Sequence, residues 1–356
     1  MSIPTPYPLQ TDSGADQPAE QAPATASAAA TMKAIVQDEY GSTAEEVLRL
    51  ADVARPVIAD DQILVRVRAA SVDRGTWHML AGLPYPVRLA GFGLRAPKAS
   101  NPGRSFAGTV ESAGKDVTEF KPGDDVYGTC DGSFAQFASA QAGRIALKPA
   151  NLSFEQAAAV PVSALTALQA VRDQAQVQPG QKVLIIGASG GVGTFAVQIA
   201  KAFGGEVTGV CSTAKTDLVR SIGADHVIDY TSADFTDGGH RYDVILDTGG
   251  NHPLGDLRRA LTSRGRLVIV GGETSGRWLG GTDRQLRALL LSPLVSQKLG
   301  TFIASENSAD LMILRDLIES GKITPAIDHA YPLAQTPAAI RHVQEGRARG
   351  KVVITI

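Results

Sequence analysis

Apolar residues recur along the chain in two rhythms, and the rhythm changes near residue 180. From Met32 to about Val160 they come in short runs: Ala34 to Val36, Ile63 to Ala69, Phe106 to Ser112 and Ile145 to Leu147. Turn residues at Lys121-Pro-Gly-Asp-Asp and Asp131-Gly-Ser separate such runs, which predicts a small antiparallel, barrel-like sheet. Ser153-Phe-Glu-Gln156 reads as a capping box opening a helix near Phe154, and Pro161 divides that helix from a second one reaching about Ala175. After Pro179-Gly180, apolar strands alternate with amphipathic stretches. Strands are expected at Lys182 to Ile186, Glu206 to Cys211, His226 to Ile228, Val244 to Leu246 and Leu267 to Val270, with helices at Gly193 to Phe203 and Lys215 to Ile222. Strands that alternate with crossovers predict an α/β fold with a doubly wound parallel sheet. Arg287 to Leu291 reads as a packing helix. Helices from about Asn307 to Glu319 and Pro337 to Gln344, then a strand at Val352 to Ile356, close the chain.

Residues 1–31 lie outside both rhythms. They hold eight Ala, five Pro, three acidic residues and no Lys or Arg, so they cannot bury enough surface to offset ordering and read as a disordered tail. They carry neither the apolar core of a secretory signal nor the arginines of a transit peptide. At 356 residues the rest is long enough for two cores. The 34 Lys plus Arg against 36 Asp plus Glu give a net charge of −2, which leaves no basic field for nucleic acid, and no segment is apolar enough for a membrane helix. Cys130 and Cys211, the two cysteines, cannot build a disulfide framework or a four-thiolate zinc lobe; they read as small packed residues in a cytoplasmic, reducing setting.

The strongest motif is Val183-Leu-Ile-Ile-Gly-Ala-Ser-Gly-Gly-Val-Gly193. A dinucleotide site needs a tight turn at a strand end, a residue without a side chain where backbone meets pyrophosphate, and a small residue where helix meets strand. Gly190 and Gly193 fill the last two roles, and Ala188 stands where the first glycine usually does. Ser189, Gly191 and Val192 complete the turn, whose following helix would aim free N–H groups at phosphate. The next strand ends Gly209-Val-Cys-Ser-Thr-Ala-Lys215 without the carboxylate that holds unphosphorylated ribose. Ser212, Thr213 and Lys215 instead offer two hydroxyls and a cation to a 2'-phosphate, which favours NADPH over NADH. Asp247-Thr-Gly-Gly250 and Val270-Gly-Gly272 stand at further strand ends, where Gly249 and Gly271 would let a nicotinamide ribose approach.

These features together resemble the medium-chain dehydrogenase/reductase superfamily, in its zinc-independent, quinone oxidoreductase-like branch. The matching stretches are Ala69-Ala-Ser-Val-Asp-Arg-Gly-Thr-Trp-His78, Phe106-Ala-Gly-Thr-Val-Glu-Ser-Ala-Gly114, Phe120-Lys-Pro-Gly-Asp-Asp-Val-Tyr-Gly128 and Gly132-Ser-Phe-Ala-Gln136. They continue through Phe154-Glu-Gln-Ala-Ala-Ala-Val-Pro161, Leu165-Thr-Ala-Leu-Gln169, the glycine turn, Gly223-Ala-Asp-His-Val-Ile-Asp-Tyr230 and Gly350-Lys-Val-Val-Ile354. The resemblance implies a Rossmann cofactor domain (161–299) inserted in a GroES-like, mainly β catalytic domain (32–160 plus 300–356), an active site in the cleft between them, and a homodimer joined near Leu299 to Ala304. Zinc-dependent members carry a Cys in the first stretch, a Gly-His-Glu and a further Cys or Asp. This chain has Ser71 and Asp73, Gly103-Arg104-Ser105 and Val162, so no catalytic metal is expected.

Without a Lewis acid, the resemblance implies an easy hydride acceptor: a quinone or an activated alkene or carbonyl. It places Asp73, where an Asn is usual, with His78 and Thr166 as candidate catalytic residues beside the nicotinamide. His78 is a possible proton donor against the alternative of a packed histidine. Trp77 and Phe92 are candidate substrate-pocket walls, the latter in an insertion from Leu83 to Ala99 that would form an apolar entrance, and Tyr230 would border the adenosine phosphate. Two other readings stay open: a reductase of enoyl thioesters or natural-product enones, and a non-catalytic cofactor-binding redox sensor, to which the Asp73 departure gives the only support.

Overall fold

The computed structural model describes residues 1–2, 30–86, 88–89, 93–250, 252–271, 278 and 280–356. Most of the tail expected over 1–31 therefore lies outside the described residues, as do Phe92 and Gly272.

Two sheets organise the chain. The parallel one has six strands in the spatial order His226–Asp229, Glu206–Cys211, Lys182–Ile186, Tyr242–Asp247, Leu261–Ile269 and Lys298–Thr301. Counted along the chain this is 3-2-1-4-5-6, the doubly wound order, whose reversal falls between the strands ending at Ile186 and Asp247. The apolar run Val183 to Ile186 is buried throughout because helices cover both faces of such a sheet. Helix Gly191–Ala202 packs Phe195, Val197 and Ile199 into the main core, each worth about 1.5–3 kcal/mol in apolar burial. The expected packing helix is longer than its apolar pattern shows, Thr282–Leu291, and only Ala288 on it is buried.

The other sheet runs Ile327–Pro332, Lys351–Thr355, Gln62–Val72, Ser105–Ala113, Asp125–Thr129 and Ile145–Leu147, with Phe137–Gln141 pairing the third of these. It departs from the wholly antiparallel expectation at one edge, where Ile327–Pro332 pairs Lys351–Thr355 in parallel. Helix Thr336–Gln344 supplies the crossover that a parallel pair requires. A separate antiparallel pair joins Thr31–Gln37 to Leu48–Ala54. Helix Phe154–Ala158 opens on the expected capping box, with Gln156 N–H donating to Ser153 Oγ at 3.2 Å. Pro161 starts the next helix, which ends at Gln169 and widens into a π-helical turn over Ala170–Ala175.

Candidate active site

A cleft of about 870 Å³ opens between the two sheets. One wall is built by the ends of the parallel strands. At Gly187 the chain turns with φ +79°, and a Cβ placed on Gly193 would stand 2.1 Å from the Gly187 carbonyl oxygen. Only glycine permits that approach of helix to strand, so the turn is held by backbone against backbone. Gly190 caps helix Gly191–Ala202 with no side-chain hydrogen bond, and Ser189, Gly190, Gly191 and Val192 line the cleft. The first amides of that helix and its positive dipole end therefore face the space where an anion fits. Ala188 and Gly193 lie behind the surface, packed in the turn rather than lining it.

Further along the edge, Ser212, Lys215 and Tyr230 line the cleft, and Tyr230 is 60% exposed. Lys215 Nζ donates to the carbonyls of Gly346 and Ala348 at 2.8 Å each, tying this corner to the C-terminal loop. Burial lowers its ammonium below the usual lysine range, offset in part by Asp328. Thr213 turns aside: its hydroxyl donates to Asp229 Oδ2 at 2.6 Å. On the other side of the reversal, Thr248, Gly249, His252 and Gly271 line the cleft. Phe235, also on the lining, meets the His252 ring edge-on at 4.8 Å.

The opposite wall carries Asp73, His78 and Thr166. Asp73 caps helix Arg74–Ala81 with a capping box closed by Thr76. Its carboxylate forms an ion pair with Lys351, whose side chain is 2% exposed. Ser163 Oγ donates to Asp73 Oδ1 at 2.9 Å, and Ser105 Oγ to Oδ2 at 3.1 Å. Lys351 Nζ also reaches the Val72 carbonyl at 3.2 Å and Ser163 Oγ at 3.1 Å. Both Asp73 oxygens are therefore engaged by neighbouring side chains, which suits a fixed wall. A Cβ on Gly191 would lie 3.2 Å from Lys351 Cδ, so this buried pair sits directly against the phosphate turn. His78 Nδ1 lies 3.1 Å from the Leu83 carbonyl. Thr166 Oγ1 donates back to Val162 O at 2.7 Å.

Trp77 does not line the cleft; it packs with the Ile35, Leu80 and Ile354 core and places Nε1 3.4 Å from the Ser42 carbonyl. In the Leu83 to Ala99 insertion, Tyr85 meets Trp278 edge-on at 5.3 Å, while Leu89 and Leu94 are exposed. Sequence reasoning passed over Lys351, Ser163 and Ser105. Lys351 stands inside the quoted Gly350-Lys-Val-Val-Ile stretch, but nothing local tells a strand-start lysine on the surface from one buried against Asp73.

Among the described residues, no three His, Cys, Asp or Glu side chains gather as metal ligands. Arg104, in the Gly-Arg-Ser position, pairs with Glu306 and with Asp131, the latter at 2.9 Å. Cys130 and Cys211 are free and buried, and burial raises both thiols, so neither is an activated nucleophile.

The glycine turn, the uncapped helix end and the cationic corner fit a phosphate-bearing dinucleotide. Bound there, a reduced nicotinamide would supply hydride. With such a group bound, Ser189 to Val192 would hold the phosphates, the Asp73 and Thr166 wall would stand against an acceptor, and the cleft would exclude water from the space between.

Comparison with known proteins agrees with this geometry. Residues 59–170 match the alcohol dehydrogenase GroES-like domain, and residues 222–354 match a zinc-binding dehydrogenase model. The chain is 32% identical over 366 residues to 2-methylene-furan-3-one reductase of Solanum lycopersicum, covering 98% of this chain and 86% of that protein. It is 30% identical to NADPH-dependent alkenal/one oxidoreductase, chloroplastic, of Arabidopsis thaliana, covering 91% and 79%. The quinone oxidoreductase structure from Coxiella burnetii superposes with a TM-score of 0.78 at 28% identity, covering 92% of this chain and 100% of that one. The chain belongs to the medium-chain dehydrogenase/reductase family, among its quinone oxidoreductase-like oxidoreductases.

Proposed function

We propose that the protein uses NADPH to reduce a quinone or an activated alkene or carbonyl, transferring hydride without a metal. The observation that carries this reading is the corner formed by Ser212 and Lys215. It lines the cleft just past the end of the second parallel strand, Glu206–Cys211, where the chain continues Ser212-Thr-Ala-Lys215 with a lysine and without an acidic residue. The names of the tomato and Arabidopsis relatives support an alkene-type acceptor. Independence from zinc is supported by Arg104 and Ser105, which are committed to Glu306 and Asp73 where zinc-dependent relatives place ligands. The Asp73 departure, which had favoured a non-catalytic binder, is matched by Lys351 and no longer favours that reading.

In the same reading, residues 161–299 form the cofactor domain and 32–160 with 300–356 the catalytic domain. The active form is a homodimer joined at the edge strand Lys298–Thr301, beside which Leu290, Leu294 and Ile303 are exposed. Among the described residues no helix is long and apolar enough to cross a membrane, and the two free cysteines support a reducing, cytoplasmic setting. A panel of quinones, enones and enoyl thioesters, followed by nicotinamide absorbance with NADPH and with NADH, tests the assignment. Turnover of quinones or enones with NADPH is expected. Turnover confined to enoyl thioesters would move the protein to the thioester reading, and a preference for NADH would overturn the cofactor assignment.

A further inference from the structure

The strand ends on the far side of the sheet reversal are tied together by one side chain. Arg284, on helix Thr282–Leu291, reaches under the cleft edge with its side chain only 11% exposed. Its Nη1 donates to Asp247 Oδ2 at 2.6 Å and to the His252 carbonyl at 2.8 Å, and its Nη2 to the Gly271 carbonyl at 3.2 Å. Asp247, 0% exposed at the end of the fourth parallel strand, accepts Gly250 N–H on its other oxygen at 2.9 Å. One guanidinium and one carboxylate therefore fix Gly250, His252 and the backbone just past the fifth strand at Gly271.

These pieces are packed too closely to move independently. A Cβ on Gly271 would stand 2.7 Å from the Thr248 carbonyl oxygen, and one on Gly187 2.6 Å from Thr248 Oγ1. Thr248 Oγ1 in turn donates to the Ile186 carbonyl at 2.7 Å. In the 3-2-1-4-5-6 order, the first strand presents the phosphate turn and the second the adenosine corner. The ends of strands four and five therefore lie under the nicotinamide half of the cofactor.

We propose that Arg284 is the positioning residue for the nicotinamide half. With Asp247 it sets where Gly249 and Gly271 stand, while the adenosine half is held independently by Ser212 and Lys215. The proposal rests on the reading of the cleft as a dinucleotide site. An arginine suits the role because its planar fork reaches several acceptors at once; lysine is a point charge that can pair with Asp247 but cannot span all three.

The test compares binding of whole NADPH with binding of its adenosine bisphosphate fragment, by calorimetry on the full chain. Arg284→Gln is expected to weaken NADPH roughly tenfold, the effect of losing charge-assisted hydrogen bonds, and to leave the fragment unchanged. Arg284→Lys should keep most of the melting temperature yet bind NADPH as poorly as Arg284→Gln. Because Arg284→Gln strands a buried carboxylate, Asp247→Asn with Arg284→Gln is measured beside it. The pair should regain melting temperature without regaining NADPH affinity. Equal weakening of NADPH and fragment, no weakening of either, or NADPH affinity restored in the double variant would each overturn the positioning role. A wild-type chain that binds neither ligand would instead overturn the dinucleotide reading, and the proposal with it.

Discussion

The phosphate turn and the wall opposite it face the same cleft and are built on different principles. The turn is local: Gly187, Gly190 and Gly193 fall within seven consecutive residues, the first two lining the cleft with backbone and the third letting the helix pack against the Gly187 carbonyl. The wall is assembled from Asp73, Ser105, Ser163 and Lys351, residues from four separate segments that meet around one buried ion pair. A site made of backbone tolerates few substitutions at any of its positions. A site made of a charge pair tolerates paired substitutions and punishes single ones.

The largest effect on cofactor binding that would sharpen this contrast is at Gly193. A valine there would drive carbon into the Gly187 carbonyl, and overpacking of this kind costs about 1–3 kcal/mol or more. NADPH binding by fluorescence titration should fall by roughly 10- to 100-fold, and retained affinity would show that the turn does not hold the cofactor.

Next comes Lys351→Met, which leaves Asp73 buried without its partner. Breaking such a pair from one side costs about 3–5 kcal/mol, seen as a drop in melting temperature. Adding Asp73→Asn should recover most of the loss. A double variant as unstable as the single one would show that the pair is not the unit holding this wall.

A smaller effect is expected at Lys215→Ala, with NADPH affinity falling about tenfold and NADH affinity unchanged. Burial lowers the Lys215 ammonium, so its charge is present at low pH and lost as pH rises, earlier than for an ordinary lysine. Above about pH 7.5, where a phosphate monoester stays ionised, the preference for NADPH over NADH should therefore decline with rising pH and be flat in Lys215→Ala. A pH-independent preference in the wild type would remove Lys215 from the account. The smallest effect is at Trp77→Phe, which should leave the Michaelis constants for quinones unaltered, because that half-buried indole packs against the Ile35, Leu80 and Ile354 core and does not line the cleft.

The same contrast explains what could be read from the chain in advance. The parallel strands and the glycine turn were legible because each is a local pattern: an apolar run such as Val183 to Ile186, then glycines at fixed offsets. Strand Leu48–Ala54 was missed, since five of its seven residues alternate between exposed and half-buried and only Leu48 is buried. Helix Arg74–Ala81 was hidden by Gly75 in its first turn, although Asp73 and Thr76 form its capping box. Strand Ile327–Pro332 is an edge strand of mixed polar residues ending in proline, which reads as loop. At the corner expected from its place after a strand, Ser212 and Lys215 line the cleft and Thr213 does not, because its hydroxyl turns to Asp229 of the neighbouring strand. Lys351 and Arg284 act through partners 278 and 37 residues distant, and no local pattern reports such pairings.

Hydride transfer in this cleft without a metal is tested most directly by isotope tracing. Protein dialysed against a strong chelator is given NADPH carrying deuterium at the transferable C4 position, together with an enone. The account requires deuterium on carbon in the saturated product and a rate unchanged by the chelator. Unlabelled product, or activity lost on chelation and restored by zinc, would contradict it.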